Sequence, residues 1–238
     1  MPKHFTALVI FFFIGMQMHA SAILIPMDVE SQDNHLKAYG ITYWVLSKQQ
    51  KVQWLLNYRG GSFLLPDGDI IRKECQIRGV SFEILSDDQV SSILDEISSP
   101  SQNKEAVILE KAPKIAVYSP KGNQPWDDAV TMVLTYAEIP YVTVYDEEVL
   151  DDKLAIYDWL HLHHEDFTGQ YGKFYGAYRT APWYIEQKKE AETLAQKLGY
   201  GKVSEEKSAV AQKIRNYVIG GGFMFAMCSA TDSFDIAL

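Results

Sequence analysis

Cys228 lies within the stretch GGGFMFAMCSATDS, Gly220 to Ser233, with Ala226 and Ala230 two residues away on either side. Small residues at those positions suit a strained turn between a strand and a helix, which brings neighbouring backbones too close for larger side chains. Ser229, Ala230, Thr231, Asp232 and Ser233 follow, residues that start helices and leave backbone N–H groups free. A thiol there is pushed toward thiolate, and the Ser229 N–H is a candidate donor to the oxygen of an attacked carbonyl. The plain alternative is a small buried cysteine closing a strand.

A second group is LHLHHEDFTGQYGKF, Leu160 to Phe174. On a strand, His161 and His163 share one face while His164 and Asp166 take the other. His163 or His164 is the candidate base toward Cys228. His161, Glu165 and Asp166 are candidate substrate contacts, or else they hydrogen-bond loop backbone and hold the wall in shape. A His-x-His pair can present two imidazoles to a metal, but no second ligand cluster accompanies it, so neither metal nor cofactor is expected. The Gly- and aromatic-rich run that follows adds Tyr171 and Tyr175 as substrate contacts. Its rings can stack on a sugar or another flat ligand as part of a mobile lid, or pack the loop onto the sheet.

The elements that must position these groups follow from periodicity. Strands are expected at Lys114–Tyr118, Tyr141–Tyr145, Leu154–Leu162 and Phe223–Met227, the last buried on both faces. Helices are expected at Trp126–Glu138, with Ala129, Met132, Val133, Tyr136 and Ala137 inward, and at Lys207–Ile219. The acidic run Asp146, Glu147, Glu148 reads as a solvated helix start. Repeated βα units predict a parallel, doubly wound α/β sheet, in which ligands lie beyond the carboxyl ends of the strands. Cys228 and the His-rich run both leave such ends and should open on one crevice.

Residues 35–112 read as a smaller N-terminal α/β domain. Two β-rich runs, Tyr39–Leu46 and Val52–Tyr58, precede a helix over Asp67–Gly79 and a strand over Val80–Leu85. Ser86 caps a helix to Ile97, and Ala106–Leu109 is another short strand. Residues 113–238 form the second domain, and the helix opened near Cys228 is still running at Leu238, so that domain is expected to be incomplete.

Lys3 and His4, an apolar stretch from Leu8 to Gly15, and Ala20, Ser21, Ala22 read as a signal peptide over residues 1–22, cleaved after Ala22. Residues 23–34 would then be a polar, mobile entry segment, and the protein periplasmic or secreted. No Cys stands at the cleavage point for a lipid anchor, and no membrane span is expected after cleavage. Cys75 and Cys228 fall in separate domains, which argues against a disulfide. A net charge of −9 without a Lys/Arg run disfavours nucleic acid as a partner. The partner expected is a small molecule, a carbohydrate or a peptide.

The blocks AYGITYWVL, VQWLLNYRGGSF, PWDDAVTMVLTYAEIPY, YDWLHLHHEDFTGQYGKFY and GGGFMFAMCSATDSFDIAL resemble a family of exported bacterial proteins commonly labelled asparagine synthetase B. Residues 114–238 are similar at fold level to the class I glutamine amidotransferase-like superfamily. That resemblance implies a flavodoxin-like sheet with an elbow cysteine, here Cys228, activated by a His and a Glu on later strands. Ala226 and Ala230 replace the two glycines of its G-x-C-x-G elbow. The same segment resembles trehalose-utilisation-type domains, in which His stands at the position of Cys228. Pro2 follows Met1, and no SGGxDS-type loop occurs, so the chemistry implied is amide or ester hydrolysis rather than ATP-driven asparagine synthesis. A non-catalytic ligand-binding or assembly module is the alternative.

Overall fold

The computed structural model describes residues 22–120, 129–162, 171–227, 230, 231 and 235. They form a mixed α/β structure with two sheets, one antiparallel and one parallel.

The antiparallel sheet holds β1 (Ala22–Ile25), β2 (Val52–Leu56), β3 (Phe63–Pro66), β4 (Glu83–Leu85) and β5 (Glu105–Leu109) in the order β4-β1-β3-β2-β5. Helices α1 (His35–Ser47) and α2 (Asp69–Arg78) lie on one face, and α3 (Asp87–Ile97) on the other. Ile23 and Ile25 enter the first core and Leu24 the second. An uninterrupted apolar run therefore suits β1, because both of its faces are covered.

Two expectations are corrected here. Residues 23–34 are not a free entry segment, since Ala22–Ile25 pairs with both β3 and β4 inside the sheet. Tyr39–Leu46 is helical rather than a strand. Its aromatic and β-branched residues favour strands, but Ala38, Ile41, Thr42 and Val45 recur at helical spacing and are buried together, while Asn34 Oδ1 accepts from the Lys37 N–H to cap the helix. Packing of one face outweighs intrinsic preference.

The parallel sheet comprises β6 (Ile115–Tyr118), β7 (Tyr141–Val144), β8 (Trp159–Leu162) and β9 (Phe223–Ala226), in the order β7-β6-β8-β9. Between them come α4 (Ala129–Tyr136), α5 (Asp146–Leu150), α6 (Tyr171–Tyr178), α7 (Pro182–Lys197) and α8 (Val203–Ile219). Ala116, Tyr118, Leu160 and Leu162 pack against α5 and α8, while Ile115 and Val117 pack against Leu134 of α4. The inward face of α4 carries Thr131 and Leu134, and Ala137 is buried just past its end as expected, but the rest of the expected inward set is corrected: Ala129, Met132, Val133 and Tyr136 are exposed. The strand expected from Leu154 begins only at Trp159, after a 3-10 turn over Lys153–Ile156. β9 is an edge strand with Phe223 and Phe225 exposed, not one buried on both faces.

Side chains of α1 and of the segment after β5 tie the two sheets together. Tyr43 Oη donates to the carbonyl of Pro113 at 3.0 Å, and the Lys37 ammonium meets Glu138 at 2.6 Å. Lys111 meets Asp158 at 2.6 Å, and Asp158 also accepts the Lys114 N–H. These two donors hold the Asp158 carboxyl below its ordinary range.

Candidate functional site

The carboxyl ends of the parallel strands form one rim. β8 and β9 are neighbours in register, with Leu162 opposite Ala226, and the Met227 N–H donates to the Leu162 carbonyl at 3.4 Å. The chain thus leaves both strands at the same end, one residue before His163 and two before Cys228. His163, His164, Glu165, Asp166, Cys228 and Ser229 themselves lie outside the described residues.

His161 sits inside the sheet, fully enclosed at 0% exposure. Its register partner is Val117, and it shares that residue's face, the one covered by α4. Its ring stacks on Phe225 at 5.9 Å and meets Trp159 edge-on at 6.5 Å. In this position the imidazole packs between aromatics.

Tyr171 begins α6, and Tyr175 lies one turn further on, 57% exposed, its ring edge-on to Tyr184. The expected lid is helical: α6 and α7 pack as a hairpin, Phe174 meets Tyr178 and Trp183 edge to face, and Tyr178 and Trp183 meet at a tilt. Mutual packing accounts for much of this aromatic content, yet about half the surface of Tyr178 and Trp183, 47% each, remains open.

Among the described residues, the largest concentration of buried charge lies at the same rim, a feature the sequence reading does not contain. Tyr118 ends β6, Tyr145 and Asp146 follow β7 directly, and Glu206 and Lys207 lie in the first turns of α8. The Lys207 ammonium is 4% exposed and its protons have three acceptors: Asp146 Oδ2, Tyr118 Oη at 3.2 Å and Tyr145 Oη at 3.2 Å. Tyr118 Oη donates in turn to Asp146 Oδ1. Lys207 also lies 4.4 Å from the centre of the Tyr145 ring, a cation–π distance. Burial first, and then the Asp146 carboxylate, push the Tyr118 phenol well above its ordinary value, which keeps it a proton donor.

Glu206 is the exception in this network. Its side chain is 1% exposed, and Lys207 Nζ is 3.8 Å away, beyond hydrogen-bond reach. No donor among the described residues reaches its Oε1. Burial pushes its carboxyl up to about 8, the nearby ammonium opposing and the Asp146 carboxylate reinforcing the shift.

The sequence did carry a signal for these residues. Val203, Glu206, Lys207, Val210, Ala211 and Ile214 are the buried face of α8, so two charged residues occupy core positions of an apolar stripe. Likewise Asp146 was read as solvated because it opens an acidic run, but it is fully buried. Among the described residues there is no group of three or more His, Cys, Asp or Glu able to hold a metal, and no helix long and apolar enough to cross a membrane.

Compared with protein-family models, with curated proteins and with solved structures, the chain matches none.

Proposed function

We propose that residues 113–238 form a doubly wound, flavodoxin-like, amidotransferase-type domain that hydrolyses a small amide or ester through Cys228. The protein carrying it would be exported to the periplasm or secreted, and would belong to the family commonly labelled asparagine synthetase B. The observation that supports this reading is the parallel, in-register pairing of β8 and β9, with Leu162 beside Ala226. It brings the His-rich run and the elbow segment off neighbouring strands at one end. The order β7-β6-β8-β9 adds to it, because the chain reverses direction across the sheet between β6 and β8, where ligands of such sheets bind.

In this reading His163 or His164 takes the thiol proton and the sulfur adds to the carbonyl carbon. The Ser229 N–H steadies the oxygen that gains charge. The amine or alcohol leaves with the proton held by the imidazole, and water then cleaves the thioester. Glu165, Asp166, Tyr171 and Tyr175 hold the substrate.

A second reading, a binding module without catalysis for a sugar or peptide, draws support from the open aromatic rings of α6 and α7. Iodoacetamide labelling of the folded protein, read residue by residue, separates the two. A nucleophile labels at Cys228 far faster than at Cys75, with an apparent pKa below ~8.5. Equal, sluggish labelling of both thiols removes the hydrolase and leaves the binding module.

A further inference from the structure

We propose that the buried carboxyl of Glu206 is a proton-operated latch: protonated, it lets α8 pack against α5 and the rim of the parallel sheet, and ionised, it loosens that packing. The inference is independent of any chemistry at Cys228.

The geometry makes Glu206 the weak point of an otherwise complete network. Lys207 has three N–H donors, and three acceptors other than Glu206 stand at hydrogen-bond distance. Among the described residues Lys207 is the one cation of the cluster, and it is already committed. Asp146, its nearest acceptor, is also the carboxylate that faces Glu206. With Glu206 protonated the cluster holds one ammonium and one carboxylate and is neutral. With Glu206 ionised it holds two carboxylates against one ammonium, in a space closed to water. Two adjacent buried carboxyls share one proton far more readily than they hold two charges.

Among the described residues, Glu206 interacts with Asp146 of α5, Lys207 of α8 itself and Tyr118 at the end of β6, while Tyr145, after β7, accepts from Lys207. The Tyr118 phenol keeps its proton through this range because burial and Asp146 hold it high. Glu205, the next carboxyl on the helix, is exposed. The helix N-terminus favours an anion at Glu206, but within one turn that is a small effect beside burial next to a carboxylate. Since α5 and α8 carry the residues that cover Tyr118, Leu160 and Leu162, loosening them loosens the rim itself.

The sign follows from the two states. In an opened α8 the carboxyl titrates at its ordinary 4.5, and in the closed one at about 8. Closure binds a proton between those values, so the latch is strongest below 4.5, weakens as pH rises toward 8, and is constant above.

Amide hydrogen exchange of the protein, expressed as protection factors so that intrinsic pH dependence cancels, tests this. Protection of the α8 and α5 amides is expected to fall by up to about tenfold per pH unit between pH 5 and 8, then level off. Glu206→Gln keeps shape and neutrality and should make that protection independent of pH. Parallel profiles for the two proteins would overturn the proposal. If the variant does not fold, carbon-13 titration of the side-chain carboxyls of the unmodified protein decides: a midpoint near 8 assigned to Glu206 supports the latch, and one near 4.5 removes it.

Discussion

Gly40 of α1 and Ala137, just past α4, touch backbone to backbone: a Cβ placed on Gly40 would lie 1.9 Å from the Ala137 carbonyl oxygen. The contact joins the helix that covers the antiparallel sheet to the one that covers the parallel sheet. Gly40 sits inside a helix, where glycine ordinarily costs stability relative to alanine, so its presence is explained by close approach. Gly40→Ala is therefore expected to destabilise by about 1–3 kcal/mol despite its better helix propensity. Urea unfolding checks this, and a gain in stability would show that the helices part without cost.

Lys207 and Asp146 are both enclosed, so removing one leaves the other as an uncompensated charge. Lys207→Met is expected to cost about 3–5 kcal/mol. Adding Asp146→Asn should recover part of that loss, and the double-mutant cycle should give a coupling well outside additivity. Additive costs, measured by urea unfolding at neutral pH, would mean that the pair does not act as a unit.

The apolar periodicity of the second half was enough to find β6, β7, β9 and α8, because strands of βα units read as short apolar runs between helices, even where, as in β9, one face stays open. It failed at Tyr39–Leu46, where β-branched and aromatic residues lie on a helix whose Ala38, Ile41, Thr42 and Val45 face the core. It failed at Ile23–Ile25 for a different reason. These residues open a segment that is polar as far as Asn34 and are too short a run to show a period, so only pairing with Phe63–Pro66 shows that they belong to the sheet. Within the candidate site, the common rim of the His-rich run and the elbow was legible from the parallel assignment. The Lys207 network was not, because its members come from four elements far apart in sequence, and no spacing rule relates Tyr118 to Lys207.

The start of α3 was legible residue by residue, and its stability can be measured the same way. Ser86 Oγ accepts from the Gln89 N–H at 3.4 Å, and Gln89 Oε1 accepts from the Ser86 N–H at 2.9 Å. Each side chain satisfies a backbone donor of the other, which makes the pair a capping box. Ser86→Ala should cost about 1 kcal/mol. Gln89→Ala in that background should cost little more, because the reciprocal pair is already broken. Equal and independent losses in urea unfolding would show that the two caps act separately.

Cys75 gives a measurable internal standard for thiol chemistry in this protein. It is fully enclosed in the core between α1, α2 and the antiparallel sheet, and carries no disulfide. Burial pushes its thiol from 9.0 up to about 11. At pH 8 the thiolate fraction is then about a hundredfold smaller than in the unfolded chain, since each pH unit is a factor of about ten. Iodoacetamide should modify Cys75 in the folded protein at least that much more slowly than in urea. The rate should keep rising with pH until about 11, where the thiol has lost its proton. Because the folded thiol holds its proton more tightly than the unfolded one, the stability it contributes is present below 9.0 and declines as pH climbs toward 11. Folded and unfolded rates within a factor of a few at pH 8 would mean that the Cys75 thiol is not held protonated in an enclosed core.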